Sequence, residues 1–461
     1  MAFSSSKDLT KGGVAGNLLR FTVPFMLAFL LQVLYGTVDV LVIGRFGGAS
    51  NGVSAVASGS EVMHLLASLI MGLTTGATVL IGRYFGAGDK EGVNHSIGMA
   101  MTLAAIVAVA MTAFMVPMVP TIARWLRTPP EALDETITYA TVCSWGIVFI
   151  FGYNALSAIF RGLGNSAAPL LFVGIACVVN IFGDIFLVVK CRLGVAGVAY
   201  STVSSQGLSM LFALAFLHYS KSGFRFERKY FVVRLRQAWQ FARIGVPIGL
   251  QSIMISLSFL FLFSIVNTMG VFSSAAYGIC NKINGFAMLP AIAFSMAISA
   301  ITAQNIGAGL PGRAIASLKW ALLFTMSFGT CALLLLQLFP EQAAALFLDR
   351  TSPGAHETLH ACTLFIRSFS WEFILVPIVF CTNGFFNGCG RSFFSMANNL
   401  GSTFLVRVPV SWFFSVMEGA TLFHVGLAAP LASLTSNIVA LAYLASGKWR
   451  PKDAKLGKVS D

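Results

Sequence analysis

Two carboxylates of this 461-residue chain lie inside long apolar runs, where an ionised group needs a reason to be. Asp39 falls within residues 21–44, FTVPFMLAFLLQVLYGTVDVLVIG, six positions before Arg45, and Asp184 falls six positions before Lys190. A charge at membrane depth costs at least ~2.5–3.5 kcal/mol, so such residues mark ion pathways or proton relays. At about 1.5 Å per helical residue, both acids sit about 9 Å under the same boundary. Asn180 precedes Asp184 by one helical turn and shares its face, while Thr202, ten residues past Arg192, reaches about 15 Å into the next run. Two carboxylates, an amide and a hydroxyl in one layer suit a proton or a hard monovalent cation, and they contain no nucleophile–base pair. The alternatives are an Asp39 that reaches water at the helix end, and Asn180 and Thr202 acting as plain interhelical hydrogen-bond partners.

Other chemistry-bearing patterns are weaker. His356-Glu357-Thr358-Leu359-His360 matches HExxH, which on a helix places two histidines on one face for zinc. With no obvious third ligand, the expectation is a solvated helix start and no metal at His356 and His360. A GxSxG at 48–52 lacks the strand a nucleophile elbow requires and reads as a turn. The GLGNSA at 162–167 lacks the strand of a dinucleotide site and reads as a connector. The eight cysteines show no CxxC spacing and read as small core residues.

Composition sets what must position these groups. The chain is 57% hydrophobic and 10% charged, with a mean hydropathy of +0.81, so it is expected to be an all-α polytopic membrane protein. Apolar runs give about twelve spans of about 20–30 residues, with approximate limits 17–44, 52–82, 93–117, 135–160, 167–189, 194–219, 238–266, 273–305, 313–339, 358–387, 392–417 and 422–447. A cleavable signal peptide is not expected, because the first run far exceeds an h-region of ~7–15 residues. The net charge of +13 sits mostly in alternate loops and the tail, which the positive-inside rule explains without a nucleic-acid partner. That rule puts both termini in the cytoplasm of a plasma (inner) membrane protein.

The chain also repeats. Val23-Pro24-Phe25 recurs as Val246-Pro247-Ile248, Gly86-Ala87-Gly88 as Gly307-Ala308-Gly309, and Gly162-Leu163-Gly164 as Gly388-Cys389-Gly390, at separations of 223, 221 and 226 residues. Six spans separate each pair, so the halves are expected to be parallel repeats: an N-terminal lobe over 1–220, a solvated basic linker over 221–243, a C-terminal lobe over 244–447 and a basic tail over 448–461. The same separations put Leu262 where Asp39 stands and Val410 where Asp184 stands, so the coupling chemistry belongs to the first half. Pro24 and Gly36 are expected bend points of the first span. In the second half Glu372 and Arg407 lie at comparable depth, about 28 and about 24 Å from Arg391, and are read either as an ion pair or as substrate contacts. Glu61 and Lys282 hold equivalent repeat positions and are candidates to meet across a central cleft, which Gln32 and Tyr35 would also line.

Several stretches together resemble the multidrug and toxic compound extrusion (MATE) family. They are YGTVDVLVIGRFGG at 35–48, IGRYFGAGDKEGV at 81–93, FRGLGNSAAP at 160–169, NIFGD at 180–184, GVAGVAYSTVSSQ at 194–206 and AQNIGAG at 303–309. The resemblance implies two six-helix lobes in a V, no enzymatic activity, no cofactor, and export of cationic or amphipathic compounds in exchange for H+ or Na+. It also implies a coupling site at Asp39, Asn180, Asp184 and Thr202, with Pro24 on the helix that bends, in a protein expected to be monomeric. A lipid-linked oligosaccharide flippase of the same superfamily, favoured by Lys282, Arg367 and Arg407, and a membrane-embedded zinc protease on His356 and His360 are the alternatives.

Overall fold

The computed structural model describes residues 6–46, 51–125, 128–219, 224–348 and 354–450. Among them the chain is helical and has no strand. The first half runs α1 (Val14–Phe46), α2 (Gly52–Gly86), α3 (Lys90–Trp125), α4 (Pro130–Trp145), α5 (Ile147–Gly162), α6 (Ala167–Asp184) with a π turn at Ile185–Lys190, and α7 (Gly194–Tyr219). The second half runs α8 (Leu235–Asn267), α9 (Val271–Gly307), α10 (Pro311–Leu338), a short α11 (Pro340–Ala345), α12 (Ala355–Phe369), α13 (Glu372–Gly388), α14 (Ser392–Ser402) with a π turn at Thr403–Arg407, α15 (Val408–Ser415), α16 (Leu422–Gly426) and α17 (Ala428–Ala445). Eight helical stretches are long and apolar enough to cross a membrane, or ten if the bent pairs α4–α5 and α12–α13 each count as one. The remaining two of the twelve expected positions are α7, with its run of Ser, Thr and Gln from 201 to 206, and the α14–α15 rod, which carries Asn398, Asn399 and Arg407.

The bends of 49° and 52° fall inside two runs that the sequence reading takes as straight. At the first, Gly146 has no side chain because Val203 occupies the place where its Cβ would go. Past the second, Pro377 cannot donate to the Phe373 carbonyl, and Gly329 of α10 packs against that carbonyl. By contrast α1 passes Pro24 and Gly36 as one unbroken helix. The linker is not wholly solvated as expected: within 224–243, Tyr230 is buried, its ring edge-on to His95 at 4.9 Å, and Thr102 Oγ1 donates to the Phe231 carbonyl at 3.0 Å. Residues 48–50 of the GxSxG, 221–223 of the linker and 451–461 of the tail lie outside the described residues.

Two of the three sequence repeats turn out to be helix ends, and the third, at Pro24 and Pro247, lies inside α1 and α8. Gly88 and Gly309, and likewise Gly164 and Gly390, adopt φ values of 73°, 72°, 81° and 67°, the left-handed region that only glycine enters freely. The amide after each donates five residues back: Asp89 to Tyr84, Leu310 to Asn305, Asn165 to Phe160 and Arg391 to Phe386, at 2.8–3.0 Å. This is the Schellman closure, and it explains why glycine recurs there. The first helix of each half leans on the other half. Phe21 and Phe25 of α1 are buried with Phe294, Ile298 and Phe385, while Gly245 and Gly249 of α8 lie against the backbone of α2.

Candidate functional site

Three helices of the first half bring the polar layer together. Asp39 on α1 is 4% exposed, and Asn180 and Asp184 on α6 are 1% and 0% exposed. Thr202 on α7 is half-buried and donates through Oγ1 to Asp39 Oδ2 at 3.4 Å. Asn180 Nδ2 donates to Thr202 Oγ1 at 3.3 Å and reaches Ser201 Oγ at 3.5 Å. Ser201 Oγ in turn donates to the Asn180 carbonyl at 2.8 Å. The i, i+4 spacing on α6 aims Asn180 and Asp184 at the same neighbours, and both side chains lie beside the Asp39 carboxyl. All four sequence-predicted residues therefore meet in one cluster.

Ser201 completes the cluster and was not anticipated. It lies where Gly183 of α6 has no side chain, since a Cβ there would collide with its hydroxyl. Its signal in the sequence is only that it precedes Thr202. Within the cluster Asp39 Oδ1, both Asp184 carboxyl oxygens and Asn180 Oδ1 have no hydrogen-bond partner among the described residues. Two carboxylates that face each other can hydrogen-bond only if a proton lies between them, and otherwise they need a cation. The π turn begins directly after Asp184, a local widening of the helix that often accompanies functional sites. Deeper along α1, Tyr35 Oη accepts from Gln206 Nε2 at 3.5 Å, and Gln32 is half-buried one turn away.

The second half differs from its expected arrangement. Glu372 and Arg407 are not an ion pair: Glu372 Oε1 accepts from Ser433 Oγ at 2.7 Å, and the Arg407 guanidinium stacks on the Phe259 ring at 4.3 Å. Ser433, on α17, lies within hydrogen-bond reach of the Glu372 carboxylate, and the Arg407 guanidinium does not. Glu61 and Lys282 are both exposed and form no ion pair, so they do not meet across a cleft. Long solvated side chains gain little from pairing. Arg367 is exposed, and its carbonyl accepts from Gln337 Nε2 at 2.8 Å. His356 and His360 are exposed on the first turns of α12, and among the described residues no group of three His, Cys, Asp or Glu is placed to hold a metal.

The MatE family model matches residues 24–186 and 247–413. The chain belongs to the MatE family. The two matched stretches of this MatE chain begin at Pro24 and Pro247, the same pair that reveals the sequence repeat. It is a multi-pass membrane transporter and not an enzyme. The chain is similar to the probable multidrug resistance protein YpnP of Bacillus subtilis, 27% identical over 445 residues that cover 96% of this chain and 97% of that one. It is also 21% identical over 451 residues to the probable multidrug resistance protein NorM of Thermotoga maritima, covering 95% and 93%. Among solved structures, an outward-facing conformation of a multidrug resistance MATE family transporter superposes with a TM-score of 0.89 at 22% identity, over 97% of this chain and 99% of that one. Its two repeated lobes correspond to the two halves described above.

Proposed function

We propose that this chain exports cationic or amphipathic drug-like compounds in exchange for a cation, with Asp39, Asn180, Asp184 and Thr202 as the exchange site. The observation that carries the reading is the pair of buried carboxylates facing each other with oxygen atoms left unpartnered. Such a pair accepts a proton between its oxygens, or a sodium ion ligated by Asp39, Asp184, Asn180 Oδ1 and Thr202 Oγ1, and the proton is the simpler occupant of a cluster this tight. The relatives named as multidrug resistance proteins support a drug cargo.

The two halves touch at one end: the Leu9 amide of the first half donates to Gln304 Oε1 of the second at 3.0 Å. The positive-inside rule assigns this end to the cytoplasm of the plasma membrane. With the halves joined there, the lobes 1–220 and 244–447 are proposed to open toward the opposite side. Protonation from outside neutralises the Asp39–Asp184 pair and releases a bound cation. Return to the inward-facing state delivers the proton to the cytoplasm. A ligand shifts such an equilibrium only by its differential affinity for the two states, so proton and cargo must compete. Efflux of a panel of fluorescent cations from everted vesicles, with a pH gradient and a sodium gradient imposed separately, tests the reading. Transport driven by the pH gradient alone supports it, transport driven only by sodium replaces the proton, and no transport under either gradient overturns it.

A further inference from the structure

The second half contains a cavity that the exchange mechanism does not use. Leu262, Tyr277, Asn281, Phe365, Phe369 and Arg407 line it. Its free space of ≈ 10 Å³ for the centre of a water-sized particle matches a single small occupant. The repeat places this cavity over the acid cluster of the first half. Leu262 stands 223 residues after Asp39, and Arg407 lies one helical turn before Val410, the counterpart of Asp184. Both halves also carry a π turn in the corresponding helix, at Ile185–Lys190 and Thr403–Arg407. The same position in the fold is thus acidic in one half and basic in the other.

The chemistry of the lining selects the occupant. Arg407 Nε and Tyr277 Oη are buried and have no hydrogen-bond partner among the described residues, and Tyr277 is only 1% exposed. No carboxylate among the described residues lies within ion-pair distance of the guanidinium, whose one recorded contact is the Phe259 face. Glu372, close enough to feel the Arg407 charge, is turned to Ser433 and does not line the cavity. An arginine inside a bilayer is costly unless something pairs with it. The guanidinium N–H groups can only be satisfied by an acceptor, and the Tyr277 hydroxyl and the Asn281 amide can each donate to the same occupant. The unpaired guanidinium beside two further donors favours a small anion as the occupant.

We infer that the second lobe holds a binding site for a chloride-sized anion, built by Arg407, Tyr277 and Asn281. The anion neutralises a guanidinium that has no protein counter-ion, in the lobe opposite the one that takes the coupling cation.

The test is equilibrium binding of radioactive chloride to the purified full chain in detergent, with gluconate as the background anion and bromide as competitor. Saturable binding that bromide displaces is expected. Arg407→Gln should abolish it, and Tyr277→Phe, which keeps the ring and removes only the donor, should weaken it by about tenfold, the loss expected for one hydrogen bond to a charged group. Where Arg407→Gln fails to fold, Tyr277→Phe decides. Absence of saturable binding by the wild type, as a cavity holding only water would give, overturns the inference. So does binding that Tyr277→Phe leaves unchanged. The assay reads anion binding directly, so its outcome is independent of which cation drives transport.

Discussion

Arg83 and Gln304 occupy the same position in the two repeats, and each binds a glycine carbonyl in the other half. Arg83 Nη2 donates to the Gly388 carbonyl at 3.1 Å, and Gln304 Nε2 donates to the Gly162 carbonyl at 2.9 Å. Between them Gly86 and Gly307 are reciprocal, because a Cβ on Gly86 would collide with the Gln304 carbonyl and one on Gly307 with the Arg83 carbonyl. The seam is two copies of one contact: its four glycines lie within the repeated motifs, and its two donors stand three residues before two of them. Gly86→Ala combined with Gly307→Ala is expected to force this end apart, since overpacking against backbone costs about 1–3 kcal/mol per site and the backbone cannot rotate away. Spin-label distances between α3 and α10 at this end should lengthen, and efflux should fall at least about tenfold. Unchanged distances would show that the seam does not hold the two halves closed.

His356→Ala together with His360→Ala is expected to leave efflux near the wild-type rate. Both side chains are exposed at the start of α12, and surface substitutions away from packed features are usually within about ±0.5 kcal/mol of neutral. Metal analysis of the purified protein accompanies the transport assay. Stoichiometric zinc lost in the double variant along with activity would refute the expectation.

Ser433→Ala removes the one hydrogen bond to Glu372 Oε1 and leaves a carboxyl at 7% exposure without that partner. The expected cost is about 1–3 kcal/mol, seen as a lower Tm. Efflux per folded molecule should persist if the exchange site is the proposed cluster in the other lobe. A variant as stable as the wild type but unable to transport would instead place Glu372 in the exchange machinery.

The first-half site was legible because depth and helical period are both written in the sequence. Counting from Arg45 and Lys190 put Asp39 and Asp184 in one layer, and the i, i+4 spacing put Asn180 on the same face. Thr202 followed from the same count on the next helix. Ser201 was not legible, since its place depends on Gly183 of the neighbouring helix leaving room for it. The second half shows the limit of the method. Depth alone paired Glu372 with Arg407, but lateral position gave Ser433 to one and Phe259 to the other. The bend at Gly146 was equally hidden, because it goes with a contact with Val203 of another helix rather than with local pattern.

Asp184→Asn and Asn180→Ala are each expected to cut efflux by about tenfold or more with expression intact, because both side chains lie beside the Asp39 carboxyl. Ser201→Ala should have a smaller effect, since its hydroxyl donates to the Asn180 backbone carbonyl. Drug accumulation in cells expressing each variant, normalised to membrane protein, provides the measurement. Normal export by both Asp184→Asn and Asn180→Ala would mean that the cluster is structural only.

Asp39 carries the sharpest prediction. Its Oδ2 accepts one long hydrogen bond from Thr202, its Oδ1 has no partner among the described residues, and the Asp184 carboxyl lies beside it. Two carboxylates this close titrate as a unit, so one proton belongs to the pair and not to either residue alone. If a cationic cargo and that proton compete, cargo binding must expel the proton. Asp39→Asn keeps the shape of the side chain and removes the charge, mimicking the protonated form. It should therefore abolish gradient-driven efflux and weaken binding of a permanently charged cation while the protein still folds. The deciding measurement is proton release from purified protein in weakly buffered detergent when such a cation is added. The wild type is expected to release protons and Asp39→Asn fewer. Equal release from both would remove Asp39 from the exchange step and leave Asp184 or Glu372 as the acid to test next.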